Sequence, residues 1–347
     1  MNLMMLLEMA AGAFGDRTAV RNGEDSLTYS ELFAAAGNAA VEIRASGASR
    51  VALLDVSSLA VPVALFGSAW AGVPFAPLNY RLTAEEVERL VAQISPCFLV
   101  ASSERVPDLV ATEGAHVVAR EDFLGGARQG EVPATDWGMD PDEIAILLFT
   151  SGTTGPPKAA VLRHKHLVSY ILGSVEFMSA DESDAALMSV PPYHIAGMAA
   201  VASSVYSGRR IVQLPNFDAE AWLKLARGEK VSHAFVVPTM LARIVEVLES
   251  ETGADLSQLR ALSYGGGKMP HSVIEHAMRL FPSTDFTNAY GLTETSSTLT
   301  VLTPNDHREA AASEEATVRR RLSSVGQSLP GVEIEIRDEA GQALPAG

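Results

Sequence analysis

Residues 147–167 read LLFTSGTTGPPKAAVLRHKHL, and the reading of this stretch decides the fold. An apolar run ends in six small residues, Thr150, Ser151, Gly152, Thr153, Thr154 and Gly155, followed by two prolines and Lys158. That pattern suits a buried strand feeding a loop. Gly152 and Gly155 let backbone amides turn toward a ligand, four hydroxyls add neutral donors, and Lys158 adds one movable positive charge. Together they make a cradle for a polyphosphate. The P-loop spacing is not met: the glycines are three apart, the lysine follows the second by three, and Ala159 replaces the magnesium-binding hydroxyl. Ser, Thr, Gly and Pro also make up surface linkers, so residue types alone leave a phosphate loop and a flexible linker both standing.

Outward from this loop, short β-rich runs alternate with helical stretches. RVALLDV, PCFLVAS and AHVVAR read as buried strands, and LTYSELFAAAGNAAVEIRASG and TAEEVERLVAQIS as helices. IAILLFT, ALMSVPP, RIVQLP and HAFVVP read as further strands, each followed by a helix. Such alternation predicts an α/β fold, with mostly parallel sheets flanked by helices. Near the end, VEIEIRD alternates with period two between Gly and Pro, which predicts antiparallel strands or a small β-barrel-like tail. The charged segment HREAAASEEATVRRR reads as a solvated helical face whose arginines pair with Glu314 and Glu315. Subdivisions are expected near 1–165, 166–300 and 301–347.

The 347 residues suffice for two or three core-bearing units; 47% are hydrophobic and 20% charged, as in ordinary globular proteins. A net charge of −16 argues against a nucleic-acid surface, which needs clustered Lys and Arg. It leaves room for a small anionic ligand held by local donors. The single cysteine, Cys97, excludes an intrachain disulfide and points to a reducing, cytoplasmic setting. The apolar N-terminus has no basic region and places Leu3, Leu6, Leu7 and Ala10 on one helical stripe, so it reads as a packing helix. Val56 to Tyr80 carries no charge, but Pro62, Gly67, Gly72, Pro74 and Pro77 break it, which suits a buried helix and short strand better than a membrane span.

Six segments in order resemble one family. FTSGTTGPPKAAVLRH is very similar to the signature loop of the adenylate-forming superfamily, which holds acyl- and aryl-CoA synthetases, luciferases and amino-acid adenylation domains. LTYSELFAAAGNAA, FGSAWAGVPFAPLNYRLTAEEV, PPYHIAGM, LSYGGGKMP and NAYGLTETS resemble its other motifs. The match is closest to acyl-CoA synthetases and covers the large N-terminal domain of such an enzyme. The resemblance implies ATP-dependent activation of a small carboxylic acid to an acyl-adenylate, then thioester formation with coenzyme A, assisted by Mg2+.

Residue by residue, it implies that Thr150, Ser151, Gly152, Thr153, Thr154, Gly155 and Lys158 hold the β- and γ-phosphates. Tyr290 would stack on adenine, with Asn288 and Gly291 beside it. Thr293 would bond the α-phosphate, and Glu294 would ligate magnesium with Thr150 as a second ligand. Lys158, Thr293 and Glu294 are thus the candidate catalytic residues. Gly265, Gly266 and Gly267 match the adenine-side loop, with Tyr264 and Gly265 also facing the acid. His194 matches a histidine at the acyl-pocket mouth. Taken singly, Tyr290 also fits a packed core aromatic, Glu294 a surface carboxylate, and His194 a core histidine.

No acid lies between Val190 and Tyr206, where amino-acid-activating relatives place an aspartate, so an amino-acid substrate is not expected. Met198, Val201, Phe235 and Met240 suggest an apolar lining, hence a fatty or aryl acid rather than acetate or a charged dicarboxylate. The HKH tract at 164–166 is not read as a metal site, because alternate helical positions point apart. The sequence also departs from the family. Ala159 and Ala160 follow the loop lysine in place of glycine, and Lys268 stands where many relatives have proline. The ribose-binding aspartate and the domain with the adenylation lysine would follow Gly347, so poor turnover by this segment is expected. A carrier-loading acyl-AMP ligase and a non-catalytic nucleotide-binding module are the alternatives. Either a monomer or a homodimer is compatible with the sequence.

Overall fold

The computed structural model describes residues 1–134, 136–150, 157–250 and 256–345. Ser151, Gly152, Thr153, Thr154 and Gly155 of the hydroxyl-glycine loop lie outside the described residues. The strands are β1 (Thr18–Asn22), β2 (Asp25–Thr28), β3 (Arg50–Leu54), β4 (Phe75–Pro77), β5 (Cys97–Ala101), β6 (Ala115–Ala119), β7 (Ile144–Thr150) and β8 (Lys158–Arg163). They continue as β9 (Ala185–Met188), β10 (Arg210–Gln213), β11 (His233–Val236), β12 (Ala261–Gly265), β13 (Asp285–Leu292), β14 (Ser297–Leu302) and β15 (Gln327–Ser328).

Among the described residues these strands form two sheets. One runs β6-β5-β3-β4-β7-β8 and the other β15-β14-β13-β12-β11-β9-β10-β1-β2. Their centres are parallel, and β8, β14, β15 and β2 add antiparallel edges. The expected alternation therefore holds with one correction. Ile144–Thr150 is followed not by a helix but by its antiparallel partner β8, with Thr150 opposite Lys158. Residues 151–157 are too few for the crossover of about a dozen residues that parallel pairing needs.

Helix positions follow from local chemistry. Thr28 caps the helix Tyr29–Ala45, its hydroxyl accepting the Glu31 N–H at 3.1 Å while Glu31 accepts the Thr28 N–H at 2.7 Å. The helix Ala84–Ile94 is capped the same way by Thr83 and Glu86, and buries Val87, Leu90, Val91 and Ile94 along one stripe. Ala60–Ala71 is hydrophobic all round and buried through Trp70, so it sits in the interior. Around it, one core cluster joins Val51, Phe75 and Phe98 of the first sheet to Val20, Met188 and Ile211 of the second. The N-terminal helix Met4–Phe14 adds Leu6, Leu7 and Ala10 to that core. Among the described residues no helix is long and apolar enough to cross a membrane.

Three further expectations are revised. Val332 to Asp338 forms no strand; a single bridge joins Arg337 and Ala343, and Ile334 and Ile336 are exposed. Period-two alternation specifies a strand only where a partner edge is available, and β15 next to it already ends the sheet. The arginines near residue 320 do not pair with Glu314 and Glu315: Arg319 bonds Glu275 and Arg321 bonds Glu309 at 3.4 Å. Tertiary neighbours outcompete sequence neighbours because each helix there is short. The HKH tract caps its helix, the Arg163 N–H donating to His166 Nδ1 at 3.2 Å. His164 is buried and accepts the Leu3 N–H at 3.1 Å.

Candidate active site

The carboxyl ends of parallel strands gather the candidate residues, which is where ligands bind in open α/β sheets. A cavity of about 790 Å³ runs between the second sheet and the helix Ile195–Ser207. At one end lie Gly266, Gly267 and Lys268 after β12, Gly291 on β13, and Thr293 and Glu294 on the turn that follows it. His194 stands at the head of the helix, before Ile195. Farther in, Ala186, Met188, Ile211, Ala199 and Phe235 line the walls.

The turn Thr293–Thr295 is held by its own chemistry. Thr295 accepts the Leu292 N–H at 3.0 Å, and its hydroxyl lies 3.1 Å from the Ser297 carbonyl. Ser296 and Ser297 have φ of +60° and +104°, values rare outside glycine and common where a site stores strain. Gly291 sits against this strained pair, where a β-carbon would lie 1.6 Å from the Ser297 carbonyl oxygen. Gly266, with φ of +76°, turns the loop after β12 in the same left-handed region.

His194 packs at a tilt against Tyr193 with ring centroids 4.5 Å apart, and Tyr193 meets Tyr80 at 5.5 Å. Burial, and then the positive Arg81 nearby, hold the His194 imidazole below its ordinary pKa. It is therefore neutral at pH 7 and can donate or accept a hydrogen bond without adding charge. Thr150 closes β7 in the other sheet, and its hydroxyl reaches the carbonyl of Lys158 at 3.4 Å.

Several predicted residues lie elsewhere. Tyr264 is 0% exposed and its hydroxyl lies 2.8 Å from Nε2 of His307, in the core behind β12. Ala261 and Ser263 face the cavity, so period two sends Leu262 and Tyr264 to the opposite face. Tyr264 is thus a packing residue rather than a substrate contact. Gly265 is buried and outside the cavity; a β-carbon there would lie 2.2 Å from the Ala289 carbonyl oxygen, so it keeps β12 and β13 close. Asn288 gives its amide N–H to the Ser324 carbonyl at 2.9 Å and braces the segment before β15. Tyr290 is 41% exposed and outside this cavity, open on its solvent side. Of the apolar four, Phe235 lines the cavity, whereas Met198 and Val201 belong to the main core and Met240 packs on the second.

Sequence reasoning missed two residues at the inner end, Arg209 and His233. The signal for Arg209 was a doubled arginine directly before a strand, GRRIVQ, where a buried apolar residue would be ordinary.

Comparison with known proteins follows the same geometry. The family described as AMP-binding enzyme matches residues 7–347. Feruloyl-CoA synthase of an Amycolatopsis species is 28% identical over 334 residues, covering 95% of this chain and 65% of that protein. Fatty acid–[acyl-carrier-protein] ligase ScoC of Streptomyces coeruleorubidus is 29% identical over 335 residues, covering 93% and 62%. The chain thus spans just under two thirds of the length of these relatives. Among solved structures, o-succinylbenzoate coenzyme A synthetase of Bacillus subtilis in complex with ATP and magnesium ion has a TM-score of 0.82 at 25% identity, over 98% of this chain and 68% of that one. The N-terminal domain of FACL13 from Mycobacterium tuberculosis has a TM-score of 0.85 at 24% identity, over 99% and 86%, a likeness of fold.

Proposed function

The chain belongs to the AMP-binding enzyme family, and from that premise we propose that it provides the ATP- and acid-binding part of an enzyme that activates a carboxylic acid as its acyl-adenylate. The observation that carries this reading is the continuity of one cavity. The Thr293–Glu294 turn and the Gly266–Gly267 loop stand at one end, and a mostly apolar channel continues past His194 toward the other.

In the proposed reaction an oxygen of the substrate carboxylate attacks the α-phosphorus of ATP. The new bond joins carboxylate oxygen to phosphorus, and the bond to the β-phosphate oxygen breaks, releasing pyrophosphate. Positioning and charge stabilisation supply most of the rate in such transfers. Thr293 offers a hydroxyl to the α-phosphate, and Lys158 with the loop hydroxyls serves the departing phosphates. Glu294, which lines the cavity, and the Thr150 hydroxyl at the end of β7 are the hard oxygens that would hold magnesium. An ion held by these oxygens would neutralise phosphate charge. Tyr290, open on one side, provides a ring for adenine. Neutral His194 and the Tyr193 ring guard the passage between nucleotide and acid, through which the acceptor thiol of coenzyme A approaches the acyl carbon.

On this reading the chain binds both the nucleotide and the acid. Calorimetric titration with acetyl, octanoyl, palmitoyl, benzoyl and glycyl sulfamoyl adenosines, against AMP, tests the reading. At least one acyl member is expected to bind about tenfold tighter than AMP, or ~1.4 kcal/mol. A module that only senses nucleotide gives no such gain.

A further inference from the structure

The far end of the acyl channel carries a charge that the apolar walls do not prepare one to expect. Arg209 lines it, together with His233, Ser203, Ser204 and the small residues Ala186 and Ala261. Its backbone is fixed. The Arg209 N–H donates to the Ser204 carbonyl at 2.9 Å, and the Tyr29 hydroxyl donates to the Arg209 carbonyl at 3.0 Å. Its side chain is not so engaged. Nε is buried without a hydrogen-bond partner, and no ion pair or hydrogen bond joins the guanidinium to any described residue.

The carboxylate whose charge acts on Arg209, Asp184, has its oxygens engaged elsewhere. Asp184 pairs with Arg260 through one oxygen and accepts the Asp181 N–H at 3.2 Å through the other. Among the described residues Glu294 is the one carboxylate lining the cavity, and it stands at the nucleotide end. His233 cannot help, because burial, and then Arg209 itself, push its pKa down to about 4 and leave it neutral. Desolvating part of a guanidinium is costly, and channel water replaces only part of what a bound anion supplies. Burial accordingly pulls the Arg209 pKa below its ordinary value. Simple packing would be served by an alkyl side chain in the same space.

We propose that the acid bound in this channel carries a second carboxylate, remote from the one that is activated, and that Arg209 recognises it. The proposal rests on the adenylation reading above and names its substrate class. It corrects the expectation of a purely apolar fatty or aryl acid. Ala261 at the inner end and Gly265, next to Gly266 at the nucleotide end, lie four residues apart along β12, or about 13 Å at ~3.3 Å per residue. A dicarboxylic acid of medium length therefore reaches from one end to the other. Planar bidentate pairing with carboxylate is the geometry a guanidinium is built for.

The test compares the sebacic half-acyl sulfamoyl adenosine with its decanoyl counterpart, using AMP as reference, by calorimetry on this chain. The two probes match in length and differ in the terminal group. On the wild type the carboxylate-ended probe is expected to bind at least about tenfold tighter than the methyl-ended one. Arg209→Met should reverse that order while leaving AMP affinity unchanged, and Arg209→Lys should keep part of the preference. Equal or tighter binding of the methyl-ended probe by the wild type overturns the proposal while leaving the adenylation reading intact. If neither probe exceeds AMP, the acyl site itself is misassigned and both readings fall. The wild-type comparison decides even where a variant does not fold.

Discussion

Gly291, paired with Thr298 across β13 and β14, approaches the neighbouring Ser297 carbonyl so closely that a β-carbon on Gly291 would lie 1.6 Å from its oxygen. Ser297 sits two residues beyond the Thr293–Thr295 turn, so this contact sets where Thr293 and Glu294 point. Gly291→Ala must push the two strands apart. The expected cost is about 1–3 kcal/mol, typical of overpacking, together with a loss of ATP affinity of tenfold or more. Thermal unfolding with and without Mg·ATP measures both. A variant that melts lower yet gains the wild-type ligand shift would separate the glycine from the site.

Tyr264 and His307 give a prediction in the opposite sense. His307 Nδ1 lies 2.8 Å from the Thr303 carbonyl, so its Nε2 is left to accept the Tyr264 hydroxyl. Tyr264→Phe removes the donor and leaves a buried acceptor unsatisfied, at a cost of about 1–2 kcal/mol. AMP and acyl-sulfamoyl adenosine affinities should stay within about twofold, because the ring lies on the face of β12 away from the cavity. Urea midpoints and parallel titrations check this. A selective loss of affinity would return Tyr264 to the site.

These two cases show what the sequence made legible. Motif order and hydrophobic period sufficed for the helix-flanked parallel sheets, and the quoted motifs include Gly266, Gly267, Thr293 and Glu294, which line one cavity. Which face of β12 looks into the channel was not legible. Tyr264 sits inside the same glycine motif as Gly266, and only the strand's period, anchored by a known core, separates them. The hairpin of β7 and β8 was hidden because KAAVLR has no local feature that distinguishes an edge strand from a helix start. Arg209 was hidden for another reason. An arginine pair ahead of a strand is ordinarily solvated, and the place of Arg209 depends on Tyr29, 180 positions earlier in sequence, which clamps the backbone at that point.

Acid sensitivity follows from His164. Burial lowers its pKa from 6.5 to about 4, so the folded state resists the proton that the unfolded chain accepts. Between those values the unfolded state binds more protons, and stability therefore rises with pH across this window and is lost as pH falls. Protonation would also cost Nδ1 its role as acceptor for the Leu3 N–H. Replacing His164 by Gln should flatten the dependence of the unfolding free energy on pH between 6.5 and 4 by up to about one proton's worth. Urea titrations at stepped pH read the slope directly, and an unchanged slope would assign the acid sensitivity to other groups.

Glu294 provides the sharpest separation of metal binding from scaffold. It lines the cavity on a turn that is held by Thr295 rather than by its own carboxylate, so Glu294→Gln should leave the fold and its melting temperature nearly unchanged. The amide keeps the shape and removes the charge that a divalent cation requires. AMP binding without metal should change by less than about threefold, whereas the gain in ATP affinity on adding magnesium should fall at least tenfold. The four titrations, AMP and ATP each with and without magnesium, form a closed comparison. If magnesium strengthens ATP binding equally in wild type and variant, Glu294 does not hold the ion, and the carboxylate's place beside the cavity must serve another contact.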